Sequence, residues 1–144
     1  LKPFFSAAPL WSFSGLAIIR IMTGLLMTYH GLELFDRSIM EEYLTWDVFK
    51  SMPAPAFMIY LGKSLELITG ICFIIGLFTR LAAILMMVDM LFICFVVGGG
   101  KFYYQDQHPF LFAMIALVFF FTGPARWSLD SRLFGSGSAD MPVS

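Results

Sequence analysis

Four long apolar segments dominate this sequence and limit the folds that it can adopt. They span residues 10–35, 56–78, 79–98 and 109–123, and most are close to the ~20 residues that a helix needs to cross a bilayer. Only 13% of the 144 residues are charged, about half the share of an average soluble domain. The sequence therefore predicts an all-α integral membrane four-helix bundle, with residues 1–134 forming a single domain.

The connections between the apolar segments indicate how the bundle is oriented. Their lysines and arginines divide between the two membrane faces as Lys2, Arg80, Arg126 and Arg132 against Arg37, Lys50 and Lys101. Since the more positive connections stay in the cytoplasm, we predict that both termini lie there. The net charge of −1 argues against a nucleic-acid partner and leaves the lipid bilayer as the predicted surroundings.

Three further stretches carry predictions of their own. Residues 1–15 indicate an amphipathic lead-in to the first span rather than a signal peptide. The stretch "IMEEYLTWDVF", residues 39–49, predicts one short interfacial helix before Pro53. The Gly/Ser-rich residues 135–144 predict a flexible tail.

Charged residues within three of the spans predict an internal polar network. At ~1.5 Å per residue, Arg20, Glu66 and Asp89 all come about 13–18 Å deep, near the middle of the bilayer. A lone charge there costs at least ~2.5–3.5 kcal/mol, so the three are expected to pair with one another, with either one carboxyl group protonated or Lys63 balancing the second carboxylate. Such a network could fix helix register alone, or could serve as a proton path or substrate clamp.

A second polar group is expected at the outer end of the spans. It consists of His30, Glu33, Lys63, Tyr29, Asp106 and His108. These side chains could hydrogen-bond the carbonyls of a quinone that enters from the membrane, or could relay protons. Two histidines are too weak a signal to predict haem, and we predict no metal site from this set.

Three blocks of the sequence, in order, resemble the DoxX family of small bacterial membrane proteins. They are "RIMTGLLMTYHGLELF", "LELITGICFIIGLFTRLAAILMMVDM" and "HPFLFAMIALVFFFTGPARWSLD", and the resemblance covers residues 14–131. The matching elements are Arg20 with Gly24, His30-Gly31, Glu66 with Gly70 and Gly76, residues 79–83, residues 123–126, and Leu129-Asp130.

The resemblance implies a four-helix bundle in the bacterial inner membrane. The family name derives from a membrane-bound thiosulfate:quinone oxidoreductase, and other members are linked to oxidative-stress complexes in the membrane. Three functions therefore stay open at this point. The chain could be a quinone-associated redox subunit acting with other membrane or periplasmic subunits or with copies of itself, a non-catalytic scaffold of a larger complex, or a small-solute or proton pathway.

Overall fold

The computed structural model describes residues 12–135, and these form helices and connecting turns with no strand among them. The helices are α1 (Ser12–Gly31), α2 (Arg37–Leu44), α3 (Asp47–Lys50), α4 (Pro55–Ile75), α5 (Thr79–Phe92), α6 (Gln107–Thr122) and α7 (Leu129–Leu133). A 3₁₀ turn, Leu32–Phe35, prolongs α1, and a π-helical segment, Ile93–Val97, prolongs α5. The start of the predicted lead-in and residues 136–144 of the predicted tail lie outside the described residues.

Three helical segments are long and apolar enough to cross a membrane: Ser12–Phe35, Pro55–Ile75 and Thr79–Val97. Helix α6 is apolar but has 16 residues, about 24 Å of helix against a hydrocarbon core of about 30 Å. The predictions of an all-helical chain and of apolar membrane helices are confirmed. The fourth span, the side of the termini and the domain limits stay predictions.

The connection between the first two spans differs from the prediction, because it contains two short helices instead of one. The Asp36 carboxylate caps α2 by accepting hydrogen bonds from the backbone N–H groups of Ser38 (2.9 Å) and Ile39 (3.3 Å). Hydrogen bonds lower the pKa of Asp36, and the one from the Ser38 hydroxyl has a larger effect than those from these N–H groups. The helix ends at Leu44, and Trp46 adopts an extended conformation before α3 begins. That extended residue breaks the helical run that the apolar spacing indicated.

The longer helices pack mainly as two pairs, α1 with α4 and α5 with α6, and α4 joins α5 across the middle. Glycine permits the first pairing, since a Cβ on Gly24 would lie 2.7 Å from the Gly70 carbonyl oxygen. In the core, Phe73 of α4 meets Phe119 of α6 edge to face, with ring centroids 5.4 Å apart. The outer surface carries large apolar side chains such as Ile18 and Val88, as expected of helices in lipid.

Candidate functional site

A cavity of about 370 Å³ lies between the two helix pairs, below the connection that contains α2 and α3. Its volume falls within the ~300–1,000 Å³ of small-molecule sites. Most of its wall is apolar, and Trp46 and Phe49 from the connection cover one end. Phe49 is held there by packing with Met40 and Ile59.

The cavity reaches the lipid-facing surface between α4 and α5. Leu61 and Val88 both line it and are themselves 42% and 59% exposed. A molecule dissolved in the membrane could therefore enter without crossing water.

A cluster of ionisable side chains, which we call the ion group, consists of Tyr43, Lys63 and Glu66 on one wall of the cavity and of Glu33, which pairs with Lys63 but does not line the cavity. The Lys63 ammonium lies 2.8 Å from Glu33 Oε2 and 2.9 Å from Glu66 Oε2. The Tyr43 hydroxyl donates to Glu33 Oε2 at 2.6 Å, and Lys63 Nζ lies 5.3 Å from the Tyr43 ring centroid. A lysine shared by two carboxylates keeps these charges paired away from water.

Tyr43 stays protonated within this group. Burial, and next the hydrogen bond to Glu33, raise the pKa of Tyr43 to about 12. The phenol therefore donates to Glu33 at neutral pH and holds that carboxylate toward Lys63.

Asp89 of α5 supplies a further carboxyl group to the cavity wall. Its side chain is 6% exposed, and Oδ2 has no hydrogen-bond partner among the described residues. Across from it stands Gly62, where an added Cβ would lie 3.5 Å from Oδ1. Buried carboxyl oxygens are normally hydrogen-bonded, so this one has capacity left for a ligand.

His30 and His108 meet at the cavity with ring centroids 5.4 Å apart, in edge-to-face contact. His30 Nδ1 lies 3.8 Å from Glu33 Oε1, and the His108 ring packs against Phe112. Neither imidazole makes a side-chain hydrogen bond within residues 12–135, so each has nitrogen atoms that can bind a ligand.

Two residues of the predicted outer group lie elsewhere. The Asp106 carboxylate accepts hydrogen bonds from the backbone N–H groups of Gly99 (3.0 Å) and Lys101 (2.9 Å), so it orders the turn before α6 and does not line the cavity. Tyr29 is 70% exposed and does not line the cavity, and its ring meets the His30 ring edge to face with centroids 5.8 Å apart. The predicted pocket is corrected at both positions.

The predicted network of Arg20 with Glu66 and Asp89 also needs correction. Arg20 is fully buried, but its guanidinium donates to backbone carbonyls: Nε to Phe73 at 2.9 Å, Nη2 to Trp127 at 2.7 Å, and Nη1 to Pro124. Within residues 12–135, no hydrogen bond or ion pair joins Arg20 to Glu66 or Asp89. The long side chain reaches toward the end of the helices opposite the cavity, where orphan carbonyls need donors.

The same end is tied together by Asp130. Its carboxylate accepts hydrogen bonds from the backbone N–H groups of Phe78 (2.6 Å) and Thr79 (2.8 Å), which caps the start of α5. Its own N–H donates to the Gly76 carbonyl oxygen at 2.9 Å. Arg20, Gly76 and Asp130 therefore serve packing, and we call this part of the molecule the capped end.

Sequence reasoning did not place Tyr43, Trp46 and Phe49 at the site. The signal available was the spacing of Met40, Tyr43 and Leu44, which gives α2 one apolar face. That pattern indicated an interfacial helix but not what it covers. As for metals, no group of three or more His, Cys, Asp or Glu among the described residues is arranged to hold an ion.

Comparisons with known proteins indicate one protein family. The family model DoxX matches residues 15–99. The chain is 28% identical over 121 residues to the Bacillus subtilis (strain 168) protein named "Putative oxidoreductase CatD", which covers 83% of this chain and 87% of that one. It is 27% identical over 151 residues to "Uncharacterized membrane protein Rv3486" of Mycobacterium tuberculosis, covering 89% and 91%. No solved structure matches the chain significantly.

Proposed function

This chain belongs to the DoxX family of membrane proteins, and on that premise we propose that it binds a quinone as a redox-linked subunit. In this proposal it crosses the bacterial inner membrane four times, with both termini in the cytoplasm. Electrons would be exchanged with another membrane or periplasmic subunit. The name of the Bacillus subtilis relative supports an oxidoreductase role.

The observation that carries the proposal is a cavity that is open to lipid at one side and polar at the other. Leu61 and Val88 border the lipid side, while the ion group, Asp89 and the two histidines lie on the polar side. A lipid-soluble quinone has the matching form, an apolar tail and a ring with two polar oxygens. The tail would leave between α4 and α5.

The ring would lie against the aromatic and imidazole side chains. His108 and Phe112 offer ring edges and faces for stacking, and His30 or His108 can donate an N–H to a quinone carbonyl. The ion group would hold the polar wall in one arrangement, since Lys63 bridges α4 and the end of the first span.

Filling the cavity tests the proposal. In Gly62→Leu a bulky side chain would project into the space that the ring needs, whereas helix α4 should tolerate it because leucine forms helices better than glycine. We expect a short-chain quinone to raise the unfolding temperature of the detergent-purified protein, and Gly62→Leu to abolish this shift.

The control is Gly15→Leu in α1, where an added Cβ meets nothing within 4 Å. It makes the same chemical change on a helix surface away from the cavity, and the quinone shift should persist. An unaltered shift in Gly62→Leu, or no shift in the unmodified protein, would contradict binding in this cavity.

A further inference from the structure

We propose that Asp89 makes this cavity select the reduced form of the ring, a quinol or related phenol, over the oxidised quinone. The inference rests on the proposed function, because it concerns the same cavity. It follows from which hydrogen-bonding groups on the wall are occupied and which are not.

Two of the three N–H bonds of the strongest donor on the wall are already engaged. Lys63 has three N–H bonds, of which two serve Glu33 (2.8 Å) and Glu66 (2.9 Å), while its ammonium also lies 5.3 Å from the Tyr43 ring. The Tyr43 hydroxyl proton is used by Glu33. A quinone carbonyl, which can only accept, therefore finds one remaining Lys63 N–H and no free donor on Tyr43.

The unused capacity on the wall belongs to acceptors. Asp89 Oδ2 is buried without a partner, and Glu66 accepts a side-chain hydrogen bond only at Oε2 within the described residues. Both carboxylate side chains are at least nine-tenths buried, at 6% and 3% exposure. When these carboxyl groups are ionised, a ligand that brings O–H groups would satisfy their oxygens, and a ligand with carbonyls alone would face them with its own lone pairs.

Space beside Asp89 allows such a contact. Gly62 has no side chain, and a Cβ there would already come to 3.5 Å from Asp89 Oδ1, so a hydroxyl group at this position would be within reach. The imidazoles of His30 and His108 can accept or donate, and so serve either form of the ring. Asp89 is therefore the group that distinguishes the two forms, as a specificity-determining residue.

The test compares three ligands of nearly equal shape on the purified full-length protein under anaerobic conditions. They are a short-chain quinone, its quinol, and the dimethyl ether of that quinol, which keeps the reduced ring but has no O–H. We expect the quinol to bind about tenfold more tightly than the other two, the effect of about one added hydrogen bond. This comparison needs no variant and therefore does not depend on one folding.

A variant then assigns the preference to Asp89. Asp89→Asn keeps the size of the side chain but adds N–H donors, so the ratio of quinol to quinone affinity should fall about tenfold while quinone still binds. Retained quinone binding shows that the variant is folded. The control is Asp47→Asn, whose carboxylate is 99% exposed on α3, and the ratio should be unchanged there.

The outcomes separate the two proposals. Equal affinity of quinone, quinol and ether in the unmodified protein would overturn the role of Asp89 while leaving the quinone site standing. An unchanged ratio in Asp89→Asn would do the same. If none of the three binds, the proposed function fails and this inference fails with it.

Discussion

Arg20 lies in the middle of α1, and its guanidinium is completely buried. A buried arginine must have partners for its donors, and carboxylates are the partners that a sequence makes visible. Here the carbonyl oxygens of Phe73, Pro124 and Trp127 fill that role. One side chain thereby links α1 to the end of α4 and to the segment that follows α6.

Removing this guanidinium should destabilise the fold. In Arg20→Met the carbonyl oxygen of Phe73 loses a buried donor, and those of Pro124 and Trp127 lose a partly buried one. Since an unsatisfied buried group costs about 1–3 kcal/mol, we expect the free energy of unfolding to fall by about that much, measured by titration with a denaturing detergent. The control is Arg132→Met, an exposed arginine in α7. Equal stability of the two variants would contradict the role assigned to Arg20.

Among the elements, α1 and α4 approach each other most closely, and glycine is the reason. A Cβ on Gly70 would lie 2.6 Å from the backbone nitrogen of Thr28, and one on Gly31 would collide with the backbone of Leu67. Because these neighbours are main-chain atoms, they cannot move aside without separating the helices. The close approach also brings Glu33, at the end of the first span, to Lys63 on α4.

A single methyl group should therefore force this pair apart. We expect Gly70→Ala to lower the free energy of unfolding by about 1–3 kcal/mol, the usual cost of overpacking. Gly15→Ala, in open space on α1, should have no such cost and gain slightly from helix propensity. Detergent unfolding curves of both variants give the comparison. A Gly70→Ala protein as stable as the parent would show that the helices are farther apart than described.

The end of α5 departs from α-helical geometry beside the cavity. Residues Ile93–Val97 are π-helical, and the Gly98 N–H donates to the Ile93 carbonyl oxygen at 2.7 Å. Ile93 and Val97 both line the cavity. The wider turn thus directs apolar side chains toward the space between the helix pairs, and π-helical turns often occur at functional sites.

The molecule as a whole has two unlike ends. At the capped end the Arg126 side chain reaches Ser14 at 3.5 Å, and the Arg126 N–H reaches the Phe13 carbonyl oxygen at 3.5 Å. The first described residues and the segment after α6 therefore meet there. The other end carries α2, α3 and the entrance to α6 above the cavity.

From the positive-inside rule we predict that the capped end lies in the cytoplasm. In bacterial spheroplasts, Glu42→Cys on α2 should then react with a membrane-impermeant maleimide. Arg132→Cys on α7 should react only after the spheroplasts are broken. Both positions are exposed, whereas the native Cys72 is half-buried and Cys94 is buried. The unmodified protein controls for those two thiols. Labelling in the reverse order would invert the proposed topology.

Composition and periodicity were enough for the features that depend on local chain properties. Helices form where apolar residues run for about 20 positions, whatever their neighbours, and the three family blocks identified the family before any fold was known. The contact between Lys63 and Glu66 is also local, since residues three apart share a helix face.

Contacts between distant segments were decided by the tertiary structure alone. Counting residues along each helix placed the Cα atoms of Arg20 and Glu66 at the same depth. The count could not show how far the Arg20 side chain extends or that backbone carbonyls accept its hydrogen bonds. Likewise, only the packing of α2 over α4 brings Tyr43 to Glu33, and only the gap between the helix pairs leaves Asp89 unpartnered. Sequence spacing records which face a residue occupies, whereas partners from other elements depend on how closely those faces approach.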